Sequence, residues 1–308
     1  MHKILVTGVN GFVGRHLAKE LSEHGLEVVG VGGPQGGREI SDYISRYYTI
    51  DLMDKQATAE LDFSDIDGVI HLAGLASVGP SFNDPLTYIQ TNVGLEVNLF
   101  ETAMSQNKKP KFLIVSSSSL YNSAAPLPVT EGSGVIPSSP YAVSKLSQEQ
   151  MALYYSRYGF EIVIARPFNH IGPGQATGFI VPDLTKQVVA VENGDTTEIS
   201  VGNLDAKRDY TDVRDIVRAY RLLLDKGRDG EIYNICSGTS HSGNELLELI
   251  TKTANVEPKV VQDPAKMRPS DAPDIFGSHE KITQDTGWLP EIALEQTIHD
   301  VVEYWRTK

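Results

Sequence analysis

Up to Pro167 the chain alternates short runs of β-branched and other apolar residues with longer stretches in which apolar positions recur every three or four residues. A continuous apolar run suits a strand covered on both faces, whereas the recurrence suits a helix with one buried face. The pattern predicts strands at Lys3–Thr7, Glu27–Val31, Tyr47–Ile50, Gly68–Leu72, Lys111–Val115 and Glu161–Ala165. Helices are predicted between them over Gly11–His24, Pro85–Gln106 and Tyr141–Tyr158. Strand, helix, strand, repeated, is the order of an α/β fold with a doubly wound parallel sheet. After Pro167 the texture changes. Helices are expected near Val181–Glu192, Val213–Asp225, Gly243–Ala254 and Leu294–Trp305, with only short strands around Ile199–Val201 and Ile232–Ile235. The expected organisation is a first unit over residues 1–168 and a smaller α+β lobe over residues 169–308, with some segments interleaved.

Between the first strand and the first helix, Gly8-Val9-Asn10-Gly11-Phe12-Val13-Gly14 places glycines at the first, fourth and seventh positions. Glycine permits the sharp turn and a close approach of backbone to a pyrophosphate, whose charge then sits at the helix N-terminus. This is a Rossmann-type dinucleotide site, in which Asn10, Phe12 and Val13 line the turn. A site selecting NAD ends its second strand with an acid on the ribose. Here Gly32-Gly33 stand there and the nearest charge is Arg38. The missing acid favours NADP(H) over NAD(H), yet no arginine ends the strand to grip a 2′-phosphate, so both stay open. Asp51, at the end of the third strand, is a candidate N-cap for a helix beginning near Lys55.

Tyr141-Ala142-Val143-Ser144-Lys145 puts a phenol and an ammonium on one helix face, where the cation is expected to pull the phenol's pKa down. Upstream, Ser116-Ser117-Ser118-Ser119 ends a central parallel strand, the place where open α/β sheets bind ligands. Together these residues resemble the Ser/Thr–Tyr–Lys triad of the extended short-chain dehydrogenase/reductases, and the GxxGxxG spacing is similar to that of their nucleotide-sugar branch. The resemblance implies that Ser117 hydrogen-bonds the reacting oxygen, Tyr141 exchanges the proton, and Lys145 holds the nicotinamide ribose. It further implies cofactor contacts at Asp51-Leu52, at Leu72-Ala73-Gly74 and at Asn92, which falls in a TNxxG-like segment.

Further matches run along the whole chain. Arg166-Pro167-Phe168-Asn169-His170-Ile171-Gly172-Pro173-Gly174-Gln175 resembles the corresponding segment of that branch's reductases of GDP-4-keto-6-deoxy-D-mannose, and Arg208–Asp215, Tyr233–Gly238, Met267–Asp271 and Gly277–His279 follow in order. The resemblance then implies Asn169 on the nucleotide-sugar, His170 beside the cofactor, and Arg208 and Arg268 clamping the diphosphate. Lys186 is a further candidate, and Asp271 is placed to accept from a ribose hydroxyl. Guanidinium groups suit a diphosphate because they bind phosphate oxygens two at a time. Dehydratases of the branch carry an acid two residues after the triad hydroxyl, a position held here by Ser119. The implied activity is therefore reduction of a GDP-linked 4-keto-6-deoxy sugar to GDP-D-rhamnose, with 4-epimerisation as the alternative and 4,6-dehydration disfavoured.

Composition narrows the rest. The 308 residues are 40% hydrophobic and 22% charged, enough apolar material for a large core. Forty Asp and Glu against 27 Lys and Arg leave a net charge of −13, which argues against a nucleic-acid binder. The single Cys236 excludes an internal disulfide and any cysteine-rich zinc site, so no metal is expected. No apolar run is long enough to cross a bilayer, so the expected location is cytoplasmic with no membrane partner. The branch commonly dimerises through its two long helices. A homodimer is expected here, with Val93, Val97, Phe100, Met151 and Tyr155 as candidate face residues that serve core packing equally well.

Overall fold

The computed structural model describes residues 1–34, 42–266 and 273–308. In chain order the elements begin β1 Lys3–Thr7, α1 Phe12–Glu23, β2 Glu27–Gly32, β3 Arg46–Thr49, α2 Lys55–Thr58, β4 Gly68–His71 and α3 Val78–Ser81. They continue with α4 Pro85–Ser105, β5 Lys111–Val115, α5 Pro140–Ser156, β6 Ile162–Pro167, β7 Asn169–Ile171, α6 Ile180–Glu192 and β8 Glu198–Val201. The remainder are β9 Lys207–Asp212, α7 Val213–Lys226, β10 Ile232–Ile235, β11 Ser240–Ser242, α8 Gly243–Ala254, β12 Lys259–Gln262, β13 Asp274–Ile275, α9 Glu280–Thr286 and α10 Leu294–Arg306.

Strands β1, β4, β5 and β6 are buried nearly throughout, which the absence of alternation in their sequences requires. They lie in an all-parallel sheet of order β10-β6-β5-β4-β1-β2-β3. The order reverses between β1 and β4, so a crevice opens at their C-terminal ends. One face is covered by α1 and α7 around Leu17, Leu21, Ile216 and Tyr220, the other by α4 and α5 around Leu99, Phe100, Phe112 and Phe160. A third core, around Val181, Val188, Leu246, Ile250 and Ile298, builds the smaller lobe from α6, α8 and α10.

Helix α7 and strand β10 return from the second half of the chain to the sheet, β10 pairing with β6 as its edge strand. Several strands that sequence periodicity does not show are polar. Strand β9, Lys-Arg-Asp-Tyr-Thr-Asp, buries Asp209 and Asp212 because both carboxylates are saturated: Asp209 accepts from Ser237 and Gly238, and Asp212 caps α7. Two helix starts matter for the site. Asp84 caps α4 and Ser139 caps α5, each followed by a proline at the first helical position, which sets Tyr141 in the first turn of α5.

Candidate active site

The glycine turn after β1 is built as its sequence requires. Gly8 has φ +68°, and a Cβ there would stand 2.9 Å from the Ala73 nitrogen; at Gly14 a Cβ would come within 2.4 Å of the Gly8 carbonyl oxygen. No side chain caps α1, so its first N–H groups face the crevice free of a side-chain acceptor. A cradle closed to any Cβ beneath a bare helix N-terminus fits a dinucleotide pyrophosphate. Thr7, at the end of β1, ties the two sides of the switch point together. Its Oγ1 accepts from the Leu72 and Ala73 nitrogens, both at 3.1 Å, and bonds His71 Nδ1 at 2.8 Å.

At the end of β2 the tyrosine of β3 explains the missing acid. Asn10 Nδ2 donates to the Tyr47 hydroxyl at 2.6 Å, and a Cβ on Gly32 would lie only 2.1 Å from that oxygen. No acidic side chain can stand at Gly32 while Tyr47 keeps this place. Asp51 is exposed and accepts from the Met53 nitrogen; the cap of α2 is Asp54, which corrects the N-cap reading of Asp51. The Leu52 side chain is buried in the core, so it offers the site no more than its backbone.

Ser117, Tyr141 and Lys145 come together where β5 ends. The Ser117 hydroxyl accepts from the Ser119 nitrogen and stands close enough to the Tyr141 phenol to act on its pKa. Tyr141 is buried, edge-on to Tyr88 at 6.5 Å between ring centroids. Lys145 Nζ donates to the Val115 carbonyl and to Gln148 Oε1, each at 2.9 Å. The expectation that the lysine pulls the phenol's pKa down is corrected. Burial raises the Tyr141 pKa, and the Ser117 hydroxyl opposes that rise. The lysine itself is lowered to about 8 by burial, against the pull of Glu96 and Glu149. Behind it, Arg166 donates to both oxygens of Glu149 at 2.8 and 2.7 Å, and both residues are buried.

Asn92 is fully buried and works as a strut. It accepts from the Leu75 nitrogen at 2.7 Å and donates to the Leu75 carbonyl and to Ser144 Oγ, joining the turn at Gly74 to α5. His170 lies parallel to Phe12 of the glycine turn at 6.3 Å and bonds the Phe168 carbonyl, so it stands beside the turn. Its pKa is lowered by burial. Asn169 is exposed on β7, and Arg208 is on the neighbouring β9. Lys186 is exposed on α6. Arg38, Arg268 and Asp271 lie outside the described residues.

Two candidate dimer-face residues are core. Phe100 and Tyr155 are buried and stacked at 4.4 Å, because each points inward onto Phe112 and Phe160. The exposed apolar side chains near those helices are instead Phe82, Leu86, Ile89, Val143, Tyr154 and Tyr158. Residues that sequence reasoning passed over are Thr7, Tyr47, Glu96 and Gln148. Glu96 had a signal: Asn92, Glu96, Leu99 and Ala103 share one face of α4, which places an acid on the buried side. Among the described residues no cluster of His, Cys, Asp or Glu is arranged to hold a metal, and no helix is long and apolar enough to cross a membrane.

Known proteins agree with this architecture from end to end. The family model described as GDP-mannose 4,6 dehydratase matches residues 5–301. The GDP-6-deoxy-D-mannose reductase of Pseudomonas aeruginosa is 35% identical over 310 residues, covering 99% of this chain and 98% of that protein. The structure of RMD from Pseudomonas aeruginosa complexed with NADPH superposes with a TM-score of 0.87 at 33% identity, covering 100% of this chain and 99% of the other. The Thermus thermophilus UDP-glucose 4-epimerase complex with NAD gives a TM-score of 0.87 at 27% identity, with 99% of each chain covered. The chain belongs to the GDP-mannose 4,6 dehydratase family, in the nucleotide-sugar branch of the extended short-chain dehydrogenase/reductases.

Proposed function

We propose that the protein reduces the 4-keto group of GDP-4-keto-6-deoxy-D-mannose to give GDP-D-rhamnose, using NADPH in preference to NADH. The observation that carries this reading is the hydroxyl at Ser119, beside a complete Ser117, Tyr141 and Lys145 cluster. Removing water from the sugar needs a carboxylate base, which resemblance to the branch's dehydratases would place at this position. Carbonyl reduction needs only the cluster and a nicotinamide. The 35% identity to a GDP-6-deoxy-D-mannose reductase along nearly the whole chain supports the same choice.

In this reading the turn Gly8–Gly14 holds the cofactor pyrophosphate against the N-terminus of α1, with Asp51, Ala73, Gly74 and His170 lining the rest of its path. The bound nicotinamide supplies the hydride for carbon 4. Ser117 donates to the keto oxygen and Tyr141 gives it the proton, so the oxygen stays on carbon 4 as a hydroxyl. Burial keeps the Tyr141 proton on the phenol until the oxygen acquires charge, which suits an acid. Arg208 and Arg268 bind the diphosphate, Lys186 adds charge, and Asn169 and Asp271 contact the nucleotide-sugar. The acidic shell around these few cations favours small nucleotides over polymers. The acid-free end of β2, closed by Tyr47, supports NADPH, as does the NADPH bound to the Pseudomonas aeruginosa structure. A cytoplasmic homodimer, formed by the exposed apolar side chains of α4 and α5, completes the proposal.

A second reading, 4-epimerisation, draws on the similarity to the Thermus thermophilus enzyme. An epimerase returns the hydride to its substrate and consumes no cofactor. Purified protein incubated with GDP-4-keto-6-deoxy-D-mannose is expected to oxidise one NADPH per sugar, and to leave UDP-glucose unchanged when no reduced cofactor is added. Conversion of UDP-glucose without net cofactor loss, together with no NADPH oxidation on the keto sugar, would replace the first reading by the second.

A further inference from the structure

Glu96 of α4 is fully buried, and neither of its carboxylate oxygens has a hydrogen-bond partner. Such a group is costly unless charge nearby compensates it. Asn92, one turn before it on α4, bonds Ser144, one turn before Gln148 on α5, so Glu96 and Gln148 meet at the same helix contact; burial raises the Glu96 pKa, and Lys145 and then Gln148 oppose that rise. The orientation of the Gln148 amide follows from chemistry. A lysine ammonium carries no acceptor, so Gln148 turns Oε1 to Lys145 Nζ at 2.9 Å, and its Nε2, which makes no hydrogen bond, is the donor left for the equally unpartnered carboxylate.

We infer that Glu96 is a positioning residue for Lys145, acting through the Gln148 amide to hold the buried ammonium protonated and fixed beside the Tyr141 phenol. The other titratable groups around Lys145 are already settled. Glu149, on the same helix, is paired with Arg166 of β6. His71 of β4 is kept neutral by burial, its pKa down at about 3, and Tyr141 is kept protonated by burial. Glu96 and Glu149 both oppose the desolvation of Lys145, and of the two Glu96 is the one not tied to Arg166. Desolvation raises the Glu96 pKa well above the usual carboxylate range, so the two groups titrate as a pair.

The inference rests on the role proposed for Lys145, and its test uses no sugar substrate. The pH dependence of the Lys145 side-chain ¹⁵N resonance, assigned by its loss in Lys145→Arg, reads the ammonium directly. In Glu96→Gln the midpoint should fall by about one unit or more, since an anion that favoured the charged form has gone. Glu96→Asp should restore part of the shift. A folded Glu96→Gln protein whose Lys145 midpoint is unchanged would overturn the inference.

Should Glu96→Gln fail to fold, the wild-type protein still decides. A protonated carboxyl stretch from ¹³C-labelled glutamate, assigned by its loss in Glu96→Asp, reports Glu96. The inference expects that protonated band to be absent throughout the pH interval in which Lys145 loses its proton, because Glu96 must be ionised to hold the ammonium, and a band that persists into that interval contradicts it. Both readouts stand whether or not the protein reduces a GDP-sugar.

Discussion

Replacing Tyr141 by phenylalanine should cut kcat by about 10²–10⁴ while leaving the fold and cofactor affinity close to those of the unaltered protein. The phenol is the one group in the cluster that can hand a proton to the developing alkoxide. Lys145 is engaged by the Val115 carbonyl and Gln148, and a serine hydroxyl is far too weak an acid to give up its proton outright. Phenylalanine keeps the ring and its edge-on contact with Tyr88, so the loss is confined to the hydroxyl. Steady-state rates measured beside NADPH binding by fluorescence separate the two effects. Turnover within a few-fold of the unaltered protein would remove Tyr141 as the proton donor.

Arg166→Met should lower the stability of the fold by about 3–5 kcal/mol, because it strands a buried carboxylate rather than because the ion pair itself is strong. The guanidinium lies 5.0 Å from the centroid of the Tyr121 ring and is held charged by Glu149 despite its burial. Without it, Glu149 is left at 1% exposure with Glu96 nearby as a like charge. The double variant Arg166→Met with Glu149→Leu should recover most of the loss, since both charges leave together. Chemical unfolding followed through the buried Trp288 measures all three proteins. A single variant no less stable than the unaltered protein would show that water or another cation reaches Glu149.

Much of this architecture is readable from the chain because its driving forces are local. Lys3–Thr7 followed by three glycines at fixed spacing can hardly be anything but a strand, a turn and an open helix N-terminus, and Pro140 with a serine before it marks where α5 begins. Where partners come from far along the chain, the pattern is silent. Strand β9 is polar in sequence and buried in space because Ser237 and Gly238 saturate Asp209. Phe100 and Tyr155 read as a possible outer face until the sheet's own aromatics, Phe112 and Phe160, are seen behind them. The pKa of Tyr141 departs from its spacing for the same reason: spacing brings the lysine onto its face, but burial decides which way the phenol moves. Tyr47 and Gly32 are fifteen residues apart, and only their contact across β2 and β3 gives the missing acid a cause.

The most direct test of the account follows the hydride itself. With NADPH carrying deuterium at the transferable position, the deuterium should end on carbon 4 of GDP-D-rhamnose, one atom for each cofactor oxidised. Product with no deuterium at carbon 4, or sugar converted with the cofactor still reduced, would contradict it.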